Sequence, residues 1–408
     1  MVKKGYKQTE VGVIPEKWKD KKLGDVGKVC MCKRIFANQT SNTGEVPFFK
    51  IGTFGKEADA YISKGIYEDY KQRFSYPQKG DVLISAAGTL GRTIVFEGKD
   101  AYFQDSNIVW LATDKELLCN EYLYHYYKVI KWGASEGSTI ARLYNGIICN
   151  THIALPDVEE QKQIATVLSE IDELISLTEK QISKKKAIKQ GAMQELLTGK
   201  PRLPGSSGGW ATRTLHEITN EMVDGPFGSN LKTEHYTTER QVRIIQLSNI
   251  GEAGWNNANV KYTTFSHAAE LQRCIVQPGS ILIAKMMPAG RAIICPDNEK
   301  SYILGSDVVK VVPNSSVDSR YLVYATKSRF YLDQIADDTQ GSTRARTSVS
   351  KLRKTAILFP EKDEQIAIAV ILSEMDMEIA ALEGKIAKYR QIKQGMMQQL
   401  LTGKIRLV

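Results

Sequence analysis

The chain has 408 residues, with 55 Lys plus Arg against 46 Asp plus Glu, a net charge of +9 and a pI near 9.0. At about 100–200 residues per domain it calls for two to four domains, and 42% apolar with 25% charged residues is a globular balance, not a disordered one. No apolar run approaches the roughly 18 residues that cross a membrane, six scattered cysteines form no C-x-x-C pair, which suits a reducing cytosol, and the basic excess points to nucleic acid as a partner.

The N-terminal stretch is lysine-rich and lacks the apolar segment of a secretory signal. Short β-branched runs bounded by Gly, Pro, Asp or Asn predict strands at 81–84 and 93–96, and a helix is expected over 120–132. A long amphipathic helix follows Pro156, a flexible joint occupies 204–209, and strands are expected at 281–283 and 307–312. A helix over 319–335 and a second long helix after Pro360 complete the chain.

Residues 160–203 realign without a gap on residues 364–407, with 25 of 44 positions identical. In the first copy Ile164, Leu168, Ile171, Ile175, Thr178 and Ile182 step by four and three; in the second, Ile368, Leu372, Met375, Ile379, Leu382, Ile386 and Tyr389 do so. Such a stripe is a coiled-coil seam, and two matching seams favour pairing of the two helices. About 40 residues at 1.5 Å each make a spacer of roughly 60 Å. Gly199 and Gly403 are placed to end the helices. Gly191 and Gly395, inside them, cost about 1 kcal/mol each and suggest close packing or a kink.

The remainder repeats more faintly. Trp18 and Leu23 answer Trp210 and Leu215, residues 80–85 and 91–94 answer 279–284 and 290–293, and 137–142 answer 341–346. The expected organisation is a strand-rich α+β unit over 1–157, a helix over 158–203, a second such unit over 204–362 and a helix over 363–408.

No catalytic pattern is legible. The loop 88–93 has neither the spacing nor the lysine of a phosphate-binding loop, the five histidines are isolated in sequence, and there is no G-x-S-x-G elbow. The motifs of an adenine methyltransferase are also missing. Asp81 with Glu97 and Lys99 mimics the carboxylate–lysine pattern of a metal-dependent nuclease, but Ser280 replaces Asp81 in the second copy. No metal site and no bound cofactor are expected.

What recurs is polar loops suited to phosphates and base edges. In the first unit they offer Lys50, Thr53, Lys56, Ser85, Thr89, Arg92, Ser138, Thr139, Arg142, Tyr144 and Asn145. In the second they offer Phe227, Ser229, Asn230, Lys232, Gln246, Asn249, Lys285, Arg291, Ser342, Thr343, Arg344 and Arg346. The run Lys184–Lys186 reads as a solvated or partner-facing helix face rather than a DNA contact.

Two variable units alternate with two near-identical helices, each opening on Glu-Gln and ending in Leu-Leu-Thr-Gly-Lys at 196–200 and 400–404. Together with the opening run 9–18, TEVGVIPEKW, this pattern resembles the specificity (S) subunit of type I restriction–modification systems. The resemblance implies two target recognition domains, each reading one half of a bipartite, asymmetric site in double-stranded DNA. It also implies that the helices pair antiparallel, set the spacer and dock two adenine methyltransferase (M) subunits, which use S-adenosylmethionine. Motor-nuclease (R) subunits would complete a cytoplasmic complex in which this chain is not itself an enzyme. A stand-alone DNA-binding or coiled-coil scaffold protein and the nuclease are the alternatives.

Overall fold

A computed structural model of the chain describes residues 2–133, 142–200, 202–206, 208–339 and 346–407. They fall into two compact units, residues 1–179 with 384–408, and residues 180–383. Each unit holds one globular stretch and part of both 39-residue helices, Val158–Leu196 and Lys362–Leu400.

In the first unit an antiparallel sheet runs in the order Gly27–Met31, Ile108–Thr113, Val82–Ser85, Thr93–Val95. Its central strands are apolar on both faces because both faces are covered. Val82, Ile84, Val109 and Leu111 enter one core, while Leu83, Ile108 and Trp110 enter another, the alternation that a pleated strand imposes. The second core is closed by a smaller sheet, Tyr61–Ile62, Val46–Phe49 and Tyr102–Phe103, the last two parallel. Lys19–Lys22 pairs with His152–Leu155 and so ties the beginning of the globular stretch to its end.

The second unit repeats this frame. Its sheet runs Thr219–Asp224, Val308–Pro313, Ile281–Ala284, Ala292–Ile294, with Ile281, Ile283, Val309 and Val311 on one side and Leu282, Ala284 and Val308 on the other. The smaller sheet grows to five strands around the parallel pair Val242–Ile245 and Tyr302–Leu304. Ala211–Thr214 pairs with Ala356–Phe359. The expected helix over 120–132 is shorter, Asn120–Tyr127, and the one over 319–335 is two, Ser319–Ala325 and Arg329–Thr339. Between these two, the Thr326 and Ser328 hydroxyls donate to the carbonyls of Val323 and Ala325 at 2.7 Å, a local alternative to the helical ladder.

The long helices run antiparallel. In the first unit Asp172 pairs with Lys393 and Glu179 with Arg390; in the second Lys185 pairs with Glu378, Lys186 with Glu383 and Lys189 with Asp376. Lys185 and Lys186 thus face the other helix. The seam differs from a plain coiled coil. Ile164 and Leu168 lie in the globular core of the first unit beside Leu400 and Leu401, and Ile368 and Leu372 lie in that of the second beside Met193 and Leu197. Two helices alone cannot enclose a seam residue on every side, and the globular core completes the enclosure there. Farther along, Ile171, Ile379 and Ile386 are buried, whereas Ile175, Ile182, Met375, Leu382 and Tyr389 are half-buried. No close approach exists at Gly191 or Gly395, where an added Cβ meets nothing within 4 Å, and each helix passes through its glycine unbroken. Gly199 and Gly403 do follow the helix ends, at φ +70° and +65°; a Cβ at Gly403 would lie 2.5 Å from Pro15, and one at Gly199 2.7 Å from Trp210.

Two polar locks are built once per unit. Buried Glu160 accepts from Trp18 Nε1 at 2.9 Å and from Arg406; Glu364 accepts from Trp210 Nε1 at 3.0 Å and from both ends of the Arg202 fork at 2.9 Å. In each case the start of one helix is fastened to the segment that follows the other. The second lock joins globular unit to helices. His125 Nε2 lies 3.0 Å from the Ser169 hydroxyl beside Asp172, Lys128 and Lys393; in the second unit Tyr324 takes its place, 3.3 Å from Ser373 and donating to Asp376 at 2.8 Å, with Lys189 on the same carboxylate.

Candidate nucleic-acid interface

The loops that the sequence singles out lie at equivalent places in the two frames. After the strand Val82–Ser85 the chain turns back within itself: Ser85 N donates to Arg92 O at 2.9 Å and Gly91 N to Ser85 O at 3.0 Å, as Ala284 and Gly290 do in the second unit at 2.8 Å. Much of the polarity predicted for DNA holds this loop instead. Ser85 is buried, donates to Thr89 O and accepts from Arg92 N. Arg92 Nη1 donates to Phe54 O at 2.9 Å, and Arg291 Nη1 lies 3.5 Å from Ile250 O. Both arginines tether the loop to the neighbouring turn, and Thr89 stays exposed at its tip.

That neighbouring turn is capped by its own side chains. Thr53 Oγ1 accepts from Lys50 N at 3.1 Å and Asn249 Oδ1 from Gln246 N at 2.8 Å. Asn249 is fully buried and donates to Asn256 O and Ala258 O, so it shapes the turn and cannot reach a base. Lys50 pairs with Asp59 at 2.9 Å, Lys56 is exposed, and Gln246 lines a small cavity with Asp307.

Beside the first loop, Ala87 bridges to Arg142 and Met286 to Arg346. Arg142 Nη2 reaches Ser106 O and Asn107 Oδ1 at 3.2 Å; Arg346 Nη2 donates to Asp307 Oδ1 at 2.7 Å. Tyr144, its ring centre 6.0 Å from the Arg142 guanidinium, and Asn145 are exposed. Ser138, Thr139, Ser342, Thr343 and Arg344 lie outside the described residues.

The loop 225–232 carries Phe227, 83% exposed, with Ser229, Asn230 and Lys232 also exposed. It starts at a glycine of necessity, since a Cβ at Gly225 would lie 1.9 Å from Gly305 O. Two histidines isolated in sequence meet here: the rings of His235 and His267 are 4.1 Å apart, and His267 Nε2 donates to Asn230 O at 2.9 Å, fastening the loop to the helix Phe265–Glu270. Under the loop Lys285, almost fully buried, pairs with Asp224. Lys285 therefore sets the position of Asp224 more than it offers a surface charge.

Sequence reasoning passed over Asp224 and Asp307, which orient the basic groups, and the exposed Phe36 and Met287. Phe36 carried a signal, an aromatic following Lys33, Arg34 and Ile35; the carboxylates carried none, because acids are not sought in a DNA-binding loop. The nuclease decoy comes apart. Asp81 is buried, accepting from Gln78 N at 2.8 Å and Asn120 Nδ2 at 3.1 Å, while Glu97 and Lys99 pair with each other in solvent at 2.6 Å. Among the described residues no group of three or more His, Cys, Asp or Glu is placed to hold a metal ion, and all six cysteines are free thiols.

Comparison with known proteins adds the family. The model of the type I restriction modification DNA specificity domain matches residues 15–186 and again 239–391. A candidate type I restriction enzyme specificity subunit of Haemophilus influenzae is 56% identical over 158 residues, 38% of this chain and 41% of that protein, less than half its length. The candidate MjaX specificity subunit of Methanocaldococcus jannaschii is 24% identical over 98% of this chain and 97% of its own. Among solved structures the S subunit of a type I restriction–modification system from M. genitalium superposes with a TM-score of 0.60 at 14% identity, covering 94% of this chain and 96% of that one, a likeness of fold. The doubled family match covers most of the chain, and the chain belongs to the type I restriction–modification DNA specificity family, the non-catalytic subunits that recognise DNA sequence.

Proposed function

We propose that each globular stretch reads one half of a bipartite, asymmetric site in double-stranded DNA, and that the paired helices set the unread spacer. The observation that carries this reading is one frame built twice with different chemistry at equivalent places. Asp224 and Met31 hold the same register against Val309 and Val109, and Asp307 stands where the first unit has Asn107. Equal frames give two readers; unequal side chains give two different half-sites.

The helices dock two copies of an adenine methyltransferase subunit, which brings S-adenosylmethionine, and motor-nuclease subunits join that core in the cytoplasm. Support comes from apolar side chains that the helices turn outward. Ile188 and Ile392, at equivalent positions of the duplicated sequence, are 48% and 41% exposed. An apolar position presented twice suits two copies of one partner. No helix among the described residues is long and apolar enough to cross a membrane.

A long-read map of adenine methylation, with and without this gene, tests the reading. Loss of one split motif on deletion is expected; an unchanged map, with the methyltransferase expressed, counts against it. Ile188→Glu with Ile392→Glu should reduce co-purification of the methyltransferase by at least about tenfold while the chain itself still folds, because two charges would enter an apolar contact. Full recovery of the partner would place its docking site elsewhere.

A further inference from the structure

The second unit contains a cavity of about 770 Å³ beneath the loop 225–232, lined among others by Asp224, Phe227, Arg273, Lys285 and Arg346. It holds a donor and an acceptor, each fixed by a counter-charge. The Arg346 side chain is 51% exposed and, among the described residues, Asp307 engages its Nη2, so other guanidinium hydrogens of its five donors can face the cavity. The Asp224 side chain is 49% exposed and gives Oδ1 to Lys285, whose own side chain is 6% exposed and cannot reach out.

Resting on the reading above that each unit recognises a half-site, we infer that the second unit reads a G·C base pair here, Arg346 donating to guanine and Asp224 accepting from cytosine. In the major groove guanine alone presents two adjacent acceptors, N7 and O6, that fit an arginine fork, and its partner cytosine presents the N4 amino donor that a carboxylate accepts. Adenine breaks the acceptor pair with its N6 amino group. Asp307 and Lys285 are positioning residues that keep the two readers from collapsing on each other. The first unit keeps the arginine but not the acceptor: Arg142 is held by Ser106 O and Asn107, and Met31 occupies the register of Asp224. The cytosine contact therefore belongs to one half-site only.

Methylation maps of a host carrying the whole system test this with the wild-type gene, its deletion, Asp224→Asn and Arg346→Lys. In Asp224→Asn one half of the motif is expected to stay intact, which certifies folding, while one G·C position in the other half admits A·T at least about tenfold more often, since an amide can donate to the O4 acceptor that thymine presents where cytosine has its N4 donor. Arg346→Lys keeps the charge, loses the fork and should relax the same position. If either variant abolishes methylation, competition between duplexes substituted at each position, on the purified complex, gives the same readout. A motif lost on deletion but unchanged by Asp224→Asn, relaxation at different positions in the two variants, or no G·C pair in that half-site overturns the inference alone. A map that deletion leaves unchanged overturns the half-site reading and this inference with it.

Discussion

Glu364 shows how much one side chain can fasten. Burial raises its carboxyl pKa, but hydrogen bonds from Arg202 and Trp210 outweigh that and hold it below the usual glutamate range. Glu364→Ala would leave the Arg202 fork without its carboxylate and Trp210 Nε1 without its acceptor, and a loss of roughly 3 kcal/mol is expected, read by denaturant unfolding of the second unit. His125 gives the pH counterpart. Burial, then repulsion from Lys128 and Lys393, lowers its pKa to about 4, with Asp172 pulling the other way. The folded value lies below the unfolded 6.5, so the fold favours the neutral ring. Its contribution is complete above pH 6.5 and is lost as pH falls from 6.5 toward 4, roughly 3 kcal/mol in all. Tyr324, pushed up to about 12 mainly by burial, takes no proton in that window. Melting at pH 7 and pH 5 should show the first unit losing stability in the wild type and a smaller loss in His125→Tyr; equal losses would mean that the acid sensitivity lies elsewhere.

At the scale of elements, the long helices are continuous α-helices whose inter-helix ion pairs fall inside one unit or the other. The exposed pairs Glu179–Arg390, Lys185–Glu378 and Lys186–Glu383 contribute at most about 1 kcal/mol each, so they select register more than they supply stability. Four residues inserted in both helices, after Glu179 and after Glu383, leave every pair within its unit. They add about 6 Å of helix at 1.5 Å per residue, against about 3.4 Å per base-pair step. The preferred spacer should lengthen by one or two base pairs with both half-sites unchanged, as a methylation map would record. An unchanged spacer would mean that helix length does not set it.

Over the whole molecule, the Glu160 and Glu364 locks are one arrangement, closed in the first unit by residues from 6–18 and 403–406 and in the second by the continuous segment 199–210. Tyr6 donates to Gly403 O at 3.1 Å, and Arg406 grips Glu160 beside Trp18; Gly199, Arg202, Trp210 and Glu364 do the same where the chain is continuous. A circular permutant that joins residue 407 to residue 3 through a short linker and opens the chain within 204–209 should fold and direct methylation to the same split motif. A permutant that is soluble but directs a different motif would show that continuity through 204–209 matters for recognition.

The duplication, the two long helices with their ends at Gly199 and Gly403, the strands near 82–85, 93–95, 281–284 and 308–313 and the family were legible in the chain alone, whereas the central strand Ile108–Thr113 was not. The legible features follow from period, turn chemistry and repeat, which are local or internal properties of a chain. The sequence did not determine that Ile164 and Leu168 would be shared between helix and globular core, nor that Lys285 would sit buried on Asp224 and Ser85 inside its own loop. Burial and counter-charge depend on what the chain brings alongside from more than 40 residues away, as with Lys285 and Asp224. A polar residue in a loop reads alike whether it faces solvent or holds the loop together, and the difference is made by the packing around it.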